Sequence, residues 1–161
     1  MPDSEPRKQM GAALGRIPSG IYVLTMRRGP AEVGMLISWV QQCGFEPASV
    51  VVAIQREREI IGWLTDGAPF TLNILDDTQS DMIAHFGKGL RNDDQAFVGL
   101  EVERPNDSTL VLTESLAYLQ CEVAGRWPVS DHELFLGRVV GGRMLNDGHP
   151  MVHIRRSGFH Y

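Results

Sequence analysis

Cysteine is scarce in this 161-residue chain. Cys43 and Cys121 are the only two, and their wide separation builds neither a disulfide framework nor a C-x-x-C metal clip. That usage fits a reducing compartment, and a cytoplasmic location is expected. Long apolar runs are missing too. None approaches the roughly 18–20 residues that cross a bilayer, so no membrane association is expected. The opening MPDSEPRKQMGAA is polar and lacks the apolar stretch of a secretory leader. Basic charge is in deficit: 15 Lys and Arg stand against 20 Asp and Glu, a formal net charge of −5. Nucleic acid is excluded as the main partner, because a phosphate backbone needs a clustered cationic excess. The densest basic clusters, Arg27-Arg28 and Arg155-Arg156, are too short to form a groove. One anionic small molecule needs only a few local cations.

Several chemical signatures are absent as well. No G-x-x-x-x-G-K-[ST] loop is present, which argues against P-loop chemistry. No G-x-G-x-x-G follows a strand, which argues against a Rossmann dinucleotide site. No G-x-S-x-G elbow occurs. His149 and His153 have a metal-like spacing, but Pro150 breaks the helix that would align them, and no metal site is expected.

What is present is ordinary globular composition, 43% hydrophobic and 22% charged, and one domain spanning 1–161 is expected. About residues 1–11 look loose, with a short helix around Gln9–Arg16. Strands are expected over Ile21–Met26, Val33–Val40, Ser49–Ile54, Phe70–Leu75, Ala117–Val123 and Glu133–Val140, the last running on toward Met144. Short helices are expected at Glu59–Asp66 and at Gln79–Phe86, the latter with Met82, Ile83 and Phe86 on one face. Lys88 to Asp94 reads as a mobile loop, and Ala124–His132 as a turn-rich connection. Six or seven strands joined by tight turns favour an antiparallel sheet. Closing it into a barrel would remove the exposed edges.

Four segments in order carry a family resemblance. RIPSGIYVLT (Arg16–Thr25), GMLISWVQQCGFEP (Gly34–Pro47), FTLNIL with the later HFGKG (Phe70–Leu75 and after), and LAYLQCEVAGRWPVSDHELFLG (Leu116–Gly137) together resemble the flavin reductase-like domain family. The likeness is strongest to the C-terminal domain of that kind in flavodiiron proteins. With its own Met1, the chain is expected to stand alone. The resemblance implies a mostly β fold with short helices, an FMN-binding split β-barrel. It also implies a homodimer with the flavin near the subunit interface. FMN is the implied cofactor, with FAD possible, and NADH or NADPH the implied electron donor.

The residues suit such a ligand. FMN has a dianionic phosphate and a flat, largely apolar ring. Met35, Leu36, Ile37, Ser38 and Trp39 offer backbone N–H groups, one hydroxyl and apolar area, although Met35 and Ile37 equally suit the core. Gln55, Arg56 and Arg58 follow a buried strand. One arginine either neutralises the phosphate or belongs to a solvated charged turn. Asn73, inside an apolar strand, needs a partner, backbone or ligand. Phe86 and Lys88 end the second short helix as candidates for flavin contact. The family likeness marks Lys88 as a flavin-reaching position, though an exposed Lys after a helix is common, and sets His132, otherwise a surface turn His, at the flavin ring as the catalytic candidate. Phe159 and Tyr161 either cover the site or form a loose tail.

The sequence departs from the family's S-W-V-S-Q-x-S-F-x-P-P pattern. Gln41 and Gly44 replace two small hydroxyl residues, and Ala48 replaces the second Pro. Cys43 is expected as a small buried residue. Three readings remain. The first is an NAD(P)H-dependent flavin oxidoreductase that passes electrons to an acceptor. The second is a flavin-binding electron-transfer module, reduced by a partner protein and lacking intrinsic reductase activity. The third is a split barrel that binds haem or a pyridoxine phosphate.

Overall fold

The protein is described by a computed structural model that covers residues 4–161. In chain order it consists of α1 (Glu5–Gly15), β1 (Ser19–Gly20), β2 (Tyr22–Arg28), β3 (Ala31–Ile37), β4 (Val40–Phe45), β5 (Ala48–Gln55), β6 (Pro69–Ile74), α2 (Ser80–Phe86), β7 (Val102–Glu103), β8 (Val111–Leu112), β9 (Ala117–Val129), β10 (His132–Met144) and β11 (Val152–His153). Seven strands form one antiparallel sheet in the order β3-β2-β6-β9-β10-β5-β4, and two two-stranded ribbons, β1-β11 and β7-β8, flank it. Among the described residues no helix is long and apolar enough to cross a membrane.

The topology explains the barrel. The two edge strands, β3 and β4, are consecutive in the chain and separated only by Ser38 and Trp39. Two residues span only about 7 Å, whereas a flat seven-stranded sheet would hold its edges about 28 Å apart. The sheet must therefore curl until its edges meet at Ser38-Trp39. No ladder joins β3 to β4 elsewhere, so the barrel is split. Inside lies an apolar core that includes Leu24, Val33, Val52, Phe70, Leu72 and Phe135; a second cluster around Val23, Leu75, Phe86 and Leu110 sits under α2.

Several expectations change. The strand expected over Val33–Val40 is two strands, because the chain must leave one edge and start the other. Ala124–His132 is mostly strand, with the turn reduced to Ser130-Asp131 between β9 and β10. Pro128 is tolerated there because β6 pairs β9 only from Ala117 to Glu122, which leaves the outer edge near Pro128 without a neighbour to receive an N–H. The helix expected at Glu59–Asp66 is a single 3₁₀ turn, Glu59–Gly62. α1 begins at Glu5, earlier than expected, with Pro in its first turn where a missing N–H costs nothing. The loose stretch expected for about 1–11 is thus helical from Glu5; residues 1–3 lie outside the described ones. The loop after Lys88 is tethered: Gly34 and Arg91 exchange two backbone hydrogen bonds, at 3.0 and 2.8 Å. Cys43 is exposed rather than buried, because edge strand β4 turns little beyond Val40 toward the core.

Candidate functional site

The point where the edges meet is also where a cavity opens. A space of about 380 Å³ is walled by Met35, Leu36 and Ile37 of β3, Ser38 and Trp39, Ala53, Ile54 and Gln55 of β5, and Ile83 and Ala84 of α2. Arg58, Lys88, His153 and Tyr161 stand around it. β3 is open on this side. Gly34 turns its N–H and C=O outward to Arg91; by strand alternation Leu36, two residues on, turns its own backbone groups to the cavity. Open strand edges of this kind offer ready hydrogen-bond partners.

Trp39 anchors an aromatic group at one end. His132, the first residue of β10, stacks on it with ring centroids 4.8 Å apart and planes 26° apart. The register explains the meeting: His132 pairs with Gln55, and the amide N–H of Ala53 donates to the Trp39 carbonyl. Asp131 Oδ1 lies 2.7 Å from His132 Nδ1, and Tyr161 Oη lies 2.6 Å from His132 Nε2. The hydrogen bond from His132 holds the Asp131 carboxyl below the usual carboxylate range, and burial pushes the Tyr161 hydroxyl up. Arg155 sits over the Trp39 ring, 4.9 Å from guanidinium carbon to centroid.

The expected residues divide clearly. Met35, Leu36, Ile37, Ser38, Trp39, Gln55, Arg58 and Lys88 line the cavity, and His132 joins them through its stack on Trp39. Arg56 is exposed outside it; its amide N–H bonds the Asp131 carbonyl. Asn73 is fully buried away from the cavity. Its Nδ2 donates to the Val23 carbonyl at 2.9 Å, and its Oδ1 accepts from the Leu112 N–H at 2.8 Å. Phe86 is buried beneath Gly34, where a Cβ on that glycine would approach its ring to 2.9 Å. Ile83 leaves the face it was expected to share with Met82 and Phe86 and turns toward the cavity. Sequence reasoning missed Ala53 and Ala84, small residues that carry no chemical signal, and weighed His153 only as a metal ligand beside His149. Of the tail, Tyr161 reaches the site, while Phe159 packs under Arg7 and against Gly11 of α1. Among the described residues no group of three or more His, Cys, Asp or Glu could hold a metal ion.

A split antiparallel barrel whose meeting edges frame an apolar cavity defines the class. A family model described as the flavin reductase like domain matches residues 14–160. The chain belongs to the flavin reductase-like domain family. It is 36% identical over 151 residues to diflavin flavoprotein A 1 of a Synechocystis species, covering 92% of this chain and 26% of that protein. A putative diflavin flavoprotein A 1 of a Nostoc species is likewise 36% identical, over 92% of this chain and 26% of its own length. The chain thus spans about a quarter of the curated relatives it matches. Among solved structures it superposes on the NADH:FAD oxidoreductase SgcE6 of Streptomyces globisporus, in complex with NAD and FAD fragments. There the TM-score is 0.80 and the identity 21%, with 94% of this chain and 90% of that one covered. It superposes also on the flavin reductase PheA2, with a TM-score of 0.78 and 21% identity over 94% of each chain. At such identities the likeness concerns the fold.

Proposed function

We propose that the chain binds FMN, with FAD as an alternative, and catalyses electron transfer from NADH or NADPH to the flavin and on to an acceptor. The observation that carries this reading is the cavity at Ser38-Trp39, apolar on its walls and cationic at its rim. Its volume lies within the roughly 300–1,000 Å³ usual for small-ligand sites. A flat ring between β3 and α2 would meet Met35, Leu36 and Ile83, with backbone groups of the open edge for its polar rim. Arg58 and Lys88, with no ion-pair partner among the described residues, would hold the phosphate by charge-assisted hydrogen bonds. Gln55 and Ser38 add neutral donors. The flavin, when bound, supplies hydride acceptance and electron release; the protein supplies position and electrostatics. His132 then orients the nicotinamide carboxamide or hydrogen-bonds the ring, its imidazole fixed by Trp39 beneath it. The relatives' description as diflavin flavoproteins supports a flavin ligand, and the NAD and FAD fragments in SgcE6 support a nicotinamide donor.

A homodimer fits the same surface. Paired register puts Ala53, Leu134 and Trp127 side by side on the outer sheet face, next to the row of His132 and Val129. Trp127 and Val129 are exposed. Such an apolar face suits a second copy, and it adjoins Trp39.

Released flavin is read from the absorption spectrum of the purified, then denatured protein. NAD(P)H oxidation with added FMN gives the activity. A colourless protein that takes up no flavin would overturn the reading. A flavin-binding electron-transfer module without nicotinamide turnover is favoured by one observation: both nitrogens of His132 are already engaged, by Asp131 and Tyr161. Flavin uptake without NAD(P)H oxidation would select that module.

A further inference from the structure

The segment from Arg155 to Tyr161 runs as a strap from the barrel to the site. Its first part is fixed to α1. The Arg155 N–H donates to the Gly15 carbonyl at 3.2 Å and the Gly158 N–H to the Gly11 carbonyl at 2.6 Å. Gly11 and Gly15 make this approach possible; a Cβ at Gly11 would come within 2.9 Å of Ser157 Oγ. Phe159 lies under the Arg7 guanidinium, 4.0 Å from ring centroid to its carbon. Beyond that anchor the hold weakens. Tyr161 is 59% exposed. It is kept in place by its hydroxyl on His132 Nε2 and by its ring near Trp39, with centroids 5.4 Å apart, and the Arg155 guanidinium donates to the neighbouring His160 carbonyl at 3.3 Å.

The hydrogen-bond inventory of His132 gives this contact its meaning. Asp131, an ionised carboxylate, can only accept, so Nδ1 carries the proton. In the neutral ring Nε2 is then a pure acceptor, and the Tyr161 hydroxyl donates to it. A phenol is protonated at neutral pH, and burial pushes the Tyr161 hydroxyl further up, so it stays a donor. A neutral imidazole has only these two polar atoms. While Tyr161 is docked, His132 therefore has nothing to offer an incoming group, and the phenol ring fills part of the cavity wall.

We propose that Tyr161 is a gate on the candidate site: docked, it caps His132 and blocks the stacking place beside Trp39, and it must swing out before a reduced nicotinamide can reach His132. This rests on the flavin reductase reading above and adds its regulation. The ties at Arg155 and Gly158 hold the strap on α1, so the Tyr161 side chain leaves His132 without unfolding α1. Closure lowers the apparent affinity for the second ligand by the fraction of open molecules. One neutral hydrogen bond of ordinary strength corresponds to about two- to tenfold in such an equilibrium.

The test compares wild-type protein with Tyr161→Phe and Tyr161→Ala. FMN binding is followed by quenching of flavin fluorescence, NADH binding to the FMN-loaded protein by titration in the absence of oxygen, and the His132 ring nitrogens by ¹⁵N NMR without ligand. With each protein first saturated with FMN at its own measured affinity, the gate predicts NADH bound about two- to tenfold more tightly by Tyr161→Phe and at least as tightly by Tyr161→Ala. It also predicts a shifted Nε2 resonance in both variants. Equal NADH affinity in all three proteins with normal FMN binding overturns the gate and leaves the flavin reading intact. An Nε2 resonance identical in wild type and Tyr161→Phe overturns the contact itself. Failure of all three proteins to take up FMN overturns the flavin reading, and the gate falls with it.

Discussion

Trp39 and His132 come from the two halves of the chain, yet their rings stack at 4.8 Å. Trp39 stands where the barrel's edges meet, and His132 opens the strand that pairs with β5. The stack thus ties the closure of the barrel to the position of the imidazole. His132→Ala should keep the fold and most FMN binding while lowering NAD(P)H turnover by about tenfold, roughly 1.4 kcal/mol in the barrier. Steady-state NAD(P)H oxidation at saturating FMN, beside a thermal melt, checks this. Wild-type turnover in the variant would remove His132 from the reaction and strengthen the electron-transfer module.

The cations near the cavity should separate in effect. Arg58 lines it and Arg56 does not. Arg58→Ala, alone or with Lys88→Ala, is expected to weaken FMN binding by about 1.5–3 kcal/mol, the scale of hydrogen bonds to a charged group. Arg56→Ala should change it little. Isothermal titration with FMN and with riboflavin reads the contrast, since only FMN carries the phosphate. Equal losses for both ligands would mean that Arg58 does not hold phosphate.

Asn73 predicts a stability effect with no loss of binding chemistry. It joins β2 and β6 to β8 through the Val23 carbonyl and the Leu112 N–H. Asn73→Ala should cost about 1–3 kcal/mol by leaving buried backbone groups unpaired. Urea denaturation measures it. FMN affinity of the folded fraction should match wild type; a large specific loss would place Asn73 in the site after all.

Asp76 supplies a pH dependence. Its carboxylate accepts from the Thr78 hydroxyl and N–H and from the His149 N–H, and these hold its pKa below the usual carboxylate value. The folded-state pKa is depressed, so its stabilisation is present above the unfolded-chain value near about 3.9 and is lost as pH falls through the folded value. Asp76→Asn should therefore melt below wild type at neutral pH, with the gap narrowing under increasingly acidic conditions. A gap independent of pH would refute the assignment.

Much of the fold was legible because it is written in local pattern. The β-branched and aromatic content of Ile21–Met26 and the apolar run in Ser49–Ile54 mark strands. The break at Ser38-Trp39 was hidden, because Val33–Val40 is apolar but for Gly34 and Ser38 and periodicity does not say where one edge ends and another begins. The long β9–β10 hairpin was hidden by Pro128 and by turn-favouring residues that a free strand edge accepts. At the site, Met35 to Trp39 could be read because one contiguous motif walls the cavity. Asn73 looked functional for a sound reason, a polar group in an apolar strand, but its partners are backbone groups brought near only by the sheet. Tyr161 could not be assigned from sequence, since its role depends on where the strap is tied.

That tie has a consequence for how the molecule is made. The segment 152–161 completes β1 through β11, seats on α1 and carries the aromatic cap to Trp39. During synthesis the first helix emerges with its glycine face bare and waits for nearly all of the later residues to appear. Barrel strands can pair in the interval, but α1 finds its seat only once residues 152–161 have emerged. Loss of this segment would therefore release α1 as well, and proteolysis of such a product should begin around α1, far in sequence from the cut.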